Sequence, residues 1–167
     1  MKVNFDSNYS NKNVNFCALK SVTGIDKIEC LVGHIGRKSG NYVVNHLKAN
    51  SAFNELCKDF DVYVKLLPVM LPSKKTPVLV DNGMHLEIFA QKPNKKKFAE
   101  LLGKKNPLIK VSDYKHKDVE ARPFDIAEYI VNDFINKKNG LEKDINTFLK
   151  QFSETENSLK GYYENRF

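Results

Sequence analysis

Residues 31–41 read L-V-G-H-I-G-R-K-S-G-N. Three glycines, a histidine, an arginine and a lysine thus stand together at the front of an apolar-periodic stretch. Such a cluster has two chemical uses. The backbone N–H groups of a glycine-rich loop can cradle a phosphate, with Arg37 and Lys38 adding charge. Alternatively, Gly33 and Gly36 supply positive φ in a turn, and Ser39 caps the helix that follows. Spacing argues against the nucleotide motifs. The stretch is G-x-x-G-x-x-x-G, whereas a dinucleotide fold needs G-x-G-x-x-G after a strand and a P-loop needs G-x-x-x-x-G-K-[ST]. A turn is therefore the expectation. The N–H groups at the helix start still leave Gly33, Gly36, Arg37 and Lys38 as an anion-binding candidate.

Three other groups of residues could do chemistry. His46 and Cys57 could pair as thiol and imidazole, but along one helix they would lie about 16 Å apart. His85 and Glu87 project from one face of a strand, where they could act as an acid/base or metal pair. Alternation also explains them as the polar side of a half-buried strand. His116, Asp118 and Glu120 alternate in a charged segment and read as solvated. No H-E-x-x-H, G-x-S-x-G or paired-carboxylate motif is present. Cys17, Cys30 and Cys57 are isolated and odd in number, so they read as small buried hydrophobes rather than zinc ligands or a disulfide framework. No metal and no cofactor is expected.

Charge is the stronger signal. The 167-residue chain carries +7 at pH 7. Residues 92–117 hold nine lysines against two acids, the whole of that excess. A local basic block points to an anionic partner, nucleic acid or an acidic protein, better than a uniform surplus would. Its candidate contacts are Lys95, Lys96, Lys97, Lys104 and Lys105. Lysine is poorer than arginine at forked phosphate contacts, and Arg occurs only at 37, 122 and 166.

These residues need a scaffold. Residues 1–13 are polar and without period, and read as a disordered lead. Residues 14–152 form one domain, and 153–167 a polar tail. Strands are expected at 14–22 and 61–70, and at 77–80 and 84–91 around an Asp81-Asn82-Gly83 hairpin turn. A further strand is expected near 107–111, and 114–122 reads as a charged connector. Helices are expected at 40–49 and from Ser51 onward, with Ser51 as a cap. Pro93 opens another over 94–102, which Gly103 closes. Pro123 opens a longer one, whose stripe is Phe124, Ala127, Ile130, Val131, Phe134 and Ile135. A last stripe, Leu141, Ile145, Phe148 and Phe152, is narrow enough to be a seam for a protein partner, although packing on its own domain explains it too. The fold class is α+β: a small mixed sheet of three to five strands, helices on one face, and a C-terminal αα-hairpin. With no secretory signal and no membrane-spanning apolar run, a cytoplasmic protein is expected.

The segment V-G-H-I-G-R-K, between a short apolar stretch and a helix, resembles the G-x-x-G loop of K-homology RNA-binding domains. The β-α-α-β-β-α order expected over the first half of the chain is similar too. That resemblance implies a loop between two helices that clamps a single-stranded backbone. The sequence departs from it at Ser39, where the family has an apolar residue, and at His34 and Ile35, between the glycines. The functional expectation is a non-catalytic binding protein with an anionic partner. The alternatives are a protein–protein module (adaptor, inhibitor or subunit) and an enzyme of unknown type using His34, His46 or Cys57.

Overall fold

A computed structural model describes residues 18–71, 78–93, 106–118 and 120–164. The fold is α+β, with a four-stranded mixed sheet in the order β1-β2-β3-β4. Its elements are β1 (Leu19–Thr23), α1 (Ile25–Val32), α2 (His34–Ala49), α3 (Ser51–Asp59), β2 (Asp61–Leu71), β3 (Val78–Gln91) and β4 (Ile109–Lys117). Then come α4 (Pro123–Ile130), which runs on as a π turn (Val131–Ile135), and α5 (Leu141–Glu164). No helix of the described residues is long and apolar enough to cross a membrane. The expected lead at 1–13, the start of the first strand with Cys17, and the 94–102 helix lie outside the described residues.

Strand alternation sets the two faces of the sheet. Val62, Val64 and Leu66 on β2 lie against Ala90, Ile88 and Leu86 on β3, and all six are buried. Helix residues Val43, Leu47, Phe53, Leu56, Ile126, Ile130 and Ile135 complete this core. Fully burying each such side chain contributes about 1.5–3 kcal/mol. β1 runs parallel to β2, while β2–β3 and β3–β4 are antiparallel. A parallel neighbour needs a long crossover, and α1, α2 and α3 supply it. Gly24 starts the crossover with φ 93°, and a Cβ there would stand 1.8 Å from the Leu66 carbonyl oxygen.

Four local expectations differ. Asp81-Asn82-Gly83 makes no hairpin turn, because β3 is continuous from Val78 to Gln91. Met84 pairs with Pro68 but Leu79 with Met70, so residues 80–83 of β3 stand opposite Val69 alone, and the turn-forming residues are absorbed into that irregularity. The supposed connector from Tyr114 is strand as far as Lys117. Asn50, not Ser51, caps α3, its side chain accepting from Phe53 N–H at 3.0 Å. Cys30 is exposed rather than buried, whereas Cys57 is half-buried and packs against the core.

The last helix buries most of one candidate interface. Leu141, Ile145 and Phe148 are 0%, 1% and 5% exposed, and Phe60 meets Phe148 and Phe152 edge-on at 5.2 and 5.0 Å. Leu141, Ile145 and Phe148 are thus covered by their own domain, while Phe152 is half-buried at its edge. Residues 153–164, polar as expected, continue α5 instead of forming a loose tail.

Candidate functional site

The helices bury the Val62–Val64–Leu66 side of the sheet. Among the described residues, none on the other side of the sheet belongs to this core or is packed against it, and that side is the open face. That open face carries Tyr63, Lys65 and Leu67 on β2, then His85, Glu87, Phe89 and Gln91 on β3. Lys110, Asp113 and Lys115 follow on β4. Register brings them together: Tyr63 pairs with Phe89, Lys65 with Glu87 and Leu67 with His85. On the other flank Phe89 pairs with Lys110, Glu87 with Asp113 and His85 with Lys115.

One irregularity shapes the site. The ladder shifts between Ile88 and Phe89, leaving Val111 as an extra residue on β4. In a regular strand residues three apart point to opposite faces. The bulge returns Lys110 to the face of Asp113, and their side chains meet at 2.8 Å.

The polar centre is a charge network. Lys110 Nζ donates to Glu87 Oε1 and to Asp113 Oδ2, both at 2.8 Å. His85 Nε2 lies 2.6 Å from Asp113 Oδ1 and 3.9 Å from Glu87 Oε1. Lys65 Nζ is 3.5 Å from Glu87 Oε2. Two carboxylates thus face two ammonium groups. The side chains of His85 and Glu87 are only 14% and 11% exposed, whereas Lys65 and Lys110 keep 46% and 43%. The hydrogen bond from Lys110 holds the Glu87 carboxyl below its ordinary range, outweighing the opposite push of burial. The same donor lowers Asp113. Lys110 is raised in turn by its bonds to Asp113 and Glu87.

Beside this network lies an aromatic pair. Tyr63 and Phe89 are directly opposite across β2 and β3, both half-buried. Lys110 Nζ stands 5.6 Å from the Phe89 ring centroid, within reach of a cation–π attraction. Lys115 and Lys117 on β4 are exposed.

The glycine stretch is not a loop. Gly33 alone separates α1 from α2, with φ 69° and open space around it. Gly36 lies inside α2 with no positive φ. A Cβ there would meet Val32 Cγ2 at 2.6 Å and the Ile28 carbonyl oxygen at 2.8 Å, so its role is close packing of α2 on α1. Ser39 is fully buried within α2 and donates to the Ile35 carbonyl at 2.8 Å, so it caps nothing. The helix expected to start at 40 starts at His34 because these small residues let it pass close to α1. The clamp implied by the K-homology resemblance has no loop to form it. Arg37 is taken up by Glu29 at 2.7 Å and Asp26 at 3.4 Å, while Lys38 is exposed.

The remaining candidates fall elsewhere. His46 Nδ1 donates to the Tyr42 carbonyl at 2.9 Å, which places that side chain in α2's own packing. His116 stacks on Tyr129 with centroids 3.9 Å apart. Lys92 pairs with Glu156 and lies over the Phe152 ring. Lys95, Lys96, Lys97, Lys104 and Lys105 lie outside the described residues. Reading residues alone missed Tyr63, Lys65, Phe89 and Asp113 as one site. Alternation predicts the faces of β2 and β3, but only the register and the bulge bring in Asp113 and Lys110.

No family model, no curated protein and no solved structure matches this chain. The open sheet face is therefore the ground for a functional reading.

Proposed function

We propose that this chain is a binding protein for single-stranded nucleic acid, held on the open face of the sheet. The observation that carries this reading is the Tyr63–Phe89 pair flanked by the exposed heads of Lys65 and Lys110. Every nucleobase has a π face, and a base stacked on an aromatic side chain gains about 1–3 kcal/mol. Lys65 and Lys110 are paired with Glu87 and Asp113, so attraction of the phosphates falls chiefly to the exposed Lys115 and Lys117, which extend a positive edge along β4. The 92–117 lysine block runs into this strand, so charge and stacking platform are contiguous in sequence.

The test is fluorescence anisotropy with a labelled mixed-sequence RNA of about 12 nucleotides, long enough to cover one such site. Tyr63→Ala and Phe89→Ala should each weaken binding roughly ten-fold, the equivalent of about 1.4 kcal/mol. Lys115→Glu should weaken it as well. Affinity indifferent to all three, yet lost when Lys95, Lys96 and Lys97 are made Glu, would move the contact off the sheet and overturn this placement.

A further inference from the structure

The open face holds a second arrangement that stacking does not use. His85 Nε2 and carboxylate oxygens of Glu87 and Asp113 lie within 4.8 Å of one another. They come from two adjacent strands, so the backbone that presents them is hydrogen-bonded and firm. The point they surround already attracts a cation. Lys110 Nζ lies 2.8 Å from an oxygen of each carboxylate. Its side chain is long and 43% exposed, so its ammonium can move out into water when another cation takes its place between the carboxylates.

We propose that His85, Glu87 and Asp113 form a binding site for a divalent first-row metal ion, Zn²⁺ being the best match, for which Lys110 is the built-in competitor. One imidazole nitrogen and two carboxylate oxygens suit a borderline cation, with water completing a four-coordinate shell. Ligand atoms about 2.0–2.2 Å from zinc stand roughly 3.3–3.6 Å apart around a tetrahedron. The 2.6 Å His85–Asp113 contact must open by under about 1 Å, and the 3.9 Å His85–Glu87 separation must close by about half that, shifts within the reach of χ rotations. A doubly charged ion replaces a single ammonium between two carboxylates, so the exchange favours the metal electrostatically. Lys65, at 3.5 Å from Glu87, keeps part of the competing charge and tempers the affinity. This site does not depend on nucleic-acid binding, and its test uses no nucleic acid.

The experiment is a Zn²⁺ titration of the full chain by competition with a chromophoric chelator at pH 7.5, with Co²⁺ absorption as a geometric readout. Lys110→Met should raise Zn²⁺ affinity ten-fold or more, because it removes the competitor and leaves both carboxylates in place. His85→Gln in the Lys110→Met background should cancel that gain. The other histidines give neither pattern, since Lys110 does not border them. Thermal melts of each variant confirm folding. Affinity unchanged by Lys110→Met in a folded protein would overturn the proposal, as would a gain that survives His85→Gln.

Discussion

Lys110 on β4 and Glu87 on β3 meet across adjacent strands at 2.8 Å, and the same ammonium reaches Asp113 at 2.8 Å. Both carboxyls are held below their ordinary values of 4.5 and 3.8. A carboxyl with a lower pKa in the folded state adds stability above its unfolded pKa, and that contribution is lost as pH falls through the folded value. The network should thus stabilise the fold fully at pH 7 and fade below about pH 4.5. Glu87→Gln should cost about 1 kcal/mol at pH 7. Its difference from the parent should shrink as pH falls below 4.5 and vanish once pH has passed the lowered folded value of Glu87. Urea midpoints measured across that range in EDTA check this.

At the alkaline end the sign reverses. Lys110 is raised above 10.5 by Asp113 and Glu87. Its contribution is whole below that value and is lost as pH rises through the raised one. Unfolding curves between pH 9 and 12 should show Lys110→Met insensitive to a loss that the parent suffers.

Gly33 and Gly36 should separate packing from binding. Gly36→Ala drives a Cβ to 2.6 Å from Val32 and 2.8 Å from a backbone oxygen, and overpacking of this kind costs about 1–3 kcal/mol. Gly33→Ala meets no atom but strains a backbone at φ 69° and ψ −159°, a conformation that costs about 1–3 kcal/mol for any residue but glycine. Neither should change RNA affinity in the folded protein. Affinity lost on Gly36→Ala, with the melt intact, would return the contact to the α1–α2 junction.

Asn50 joins the two halves of the helical layer. Its Oδ1 caps α3 through Phe53 N–H at 3.0 Å, and its Nδ2 donates to the Ile135 carbonyl at the end of the π turn, at 2.9 Å. Asn50→Ala removes both and should cost about 1–3 kcal/mol. Asn50→Asp keeps the cap but turns an acceptor toward the Ile135 oxygen, so chemical denaturation should place it between parent and alanine variant.

Phe148 and Phe152 should behave differently although both touch Phe60. Phe148 is 5% exposed, and its replacement by Ala should cost about 3–5 kcal/mol. Phe152 borders an open groove of about 420 Å³ with Lys92, Pro107 and Ile109, so its truncation should cost clearly less in the same urea assay.

The faces of β2 and β3 were legible because Val62–Leu66 and Met84–Ala90 alternate strictly and one side is buried. The α4 stripe and its Pro123 start were legible for the same kind of reason, a period of 3.6 with a recognised first residue. What escaped was set by contacts distant in sequence. Asp81-Asn82-Gly83 has turn chemistry, yet its strand continues because Leu79 and Val78 still find Met70 and Leu71. Gly36 looked like a turn residue, but its small size serves a helix crossing. His85 and Glu87 were visible as a pair, whereas Asp113 and Lys110 join them through a bulge that no local pattern announces.

The most direct measurement is the salt dependence of single-stranded RNA binding by the unmodified chain. Anisotropy titrations at about 50 and 200 mM salt should show affinity falling steeply, since each neutralised phosphate of a single strand contributes a slope of about −0.7 in log–log terms. The residual, salt-insensitive component should weaken roughly ten-fold in Phe89→Ala, as stacking on the Tyr63–Phe89 pair requires. No binding at 50 mM salt, or an affinity equal at the two concentrations, would contradict the account.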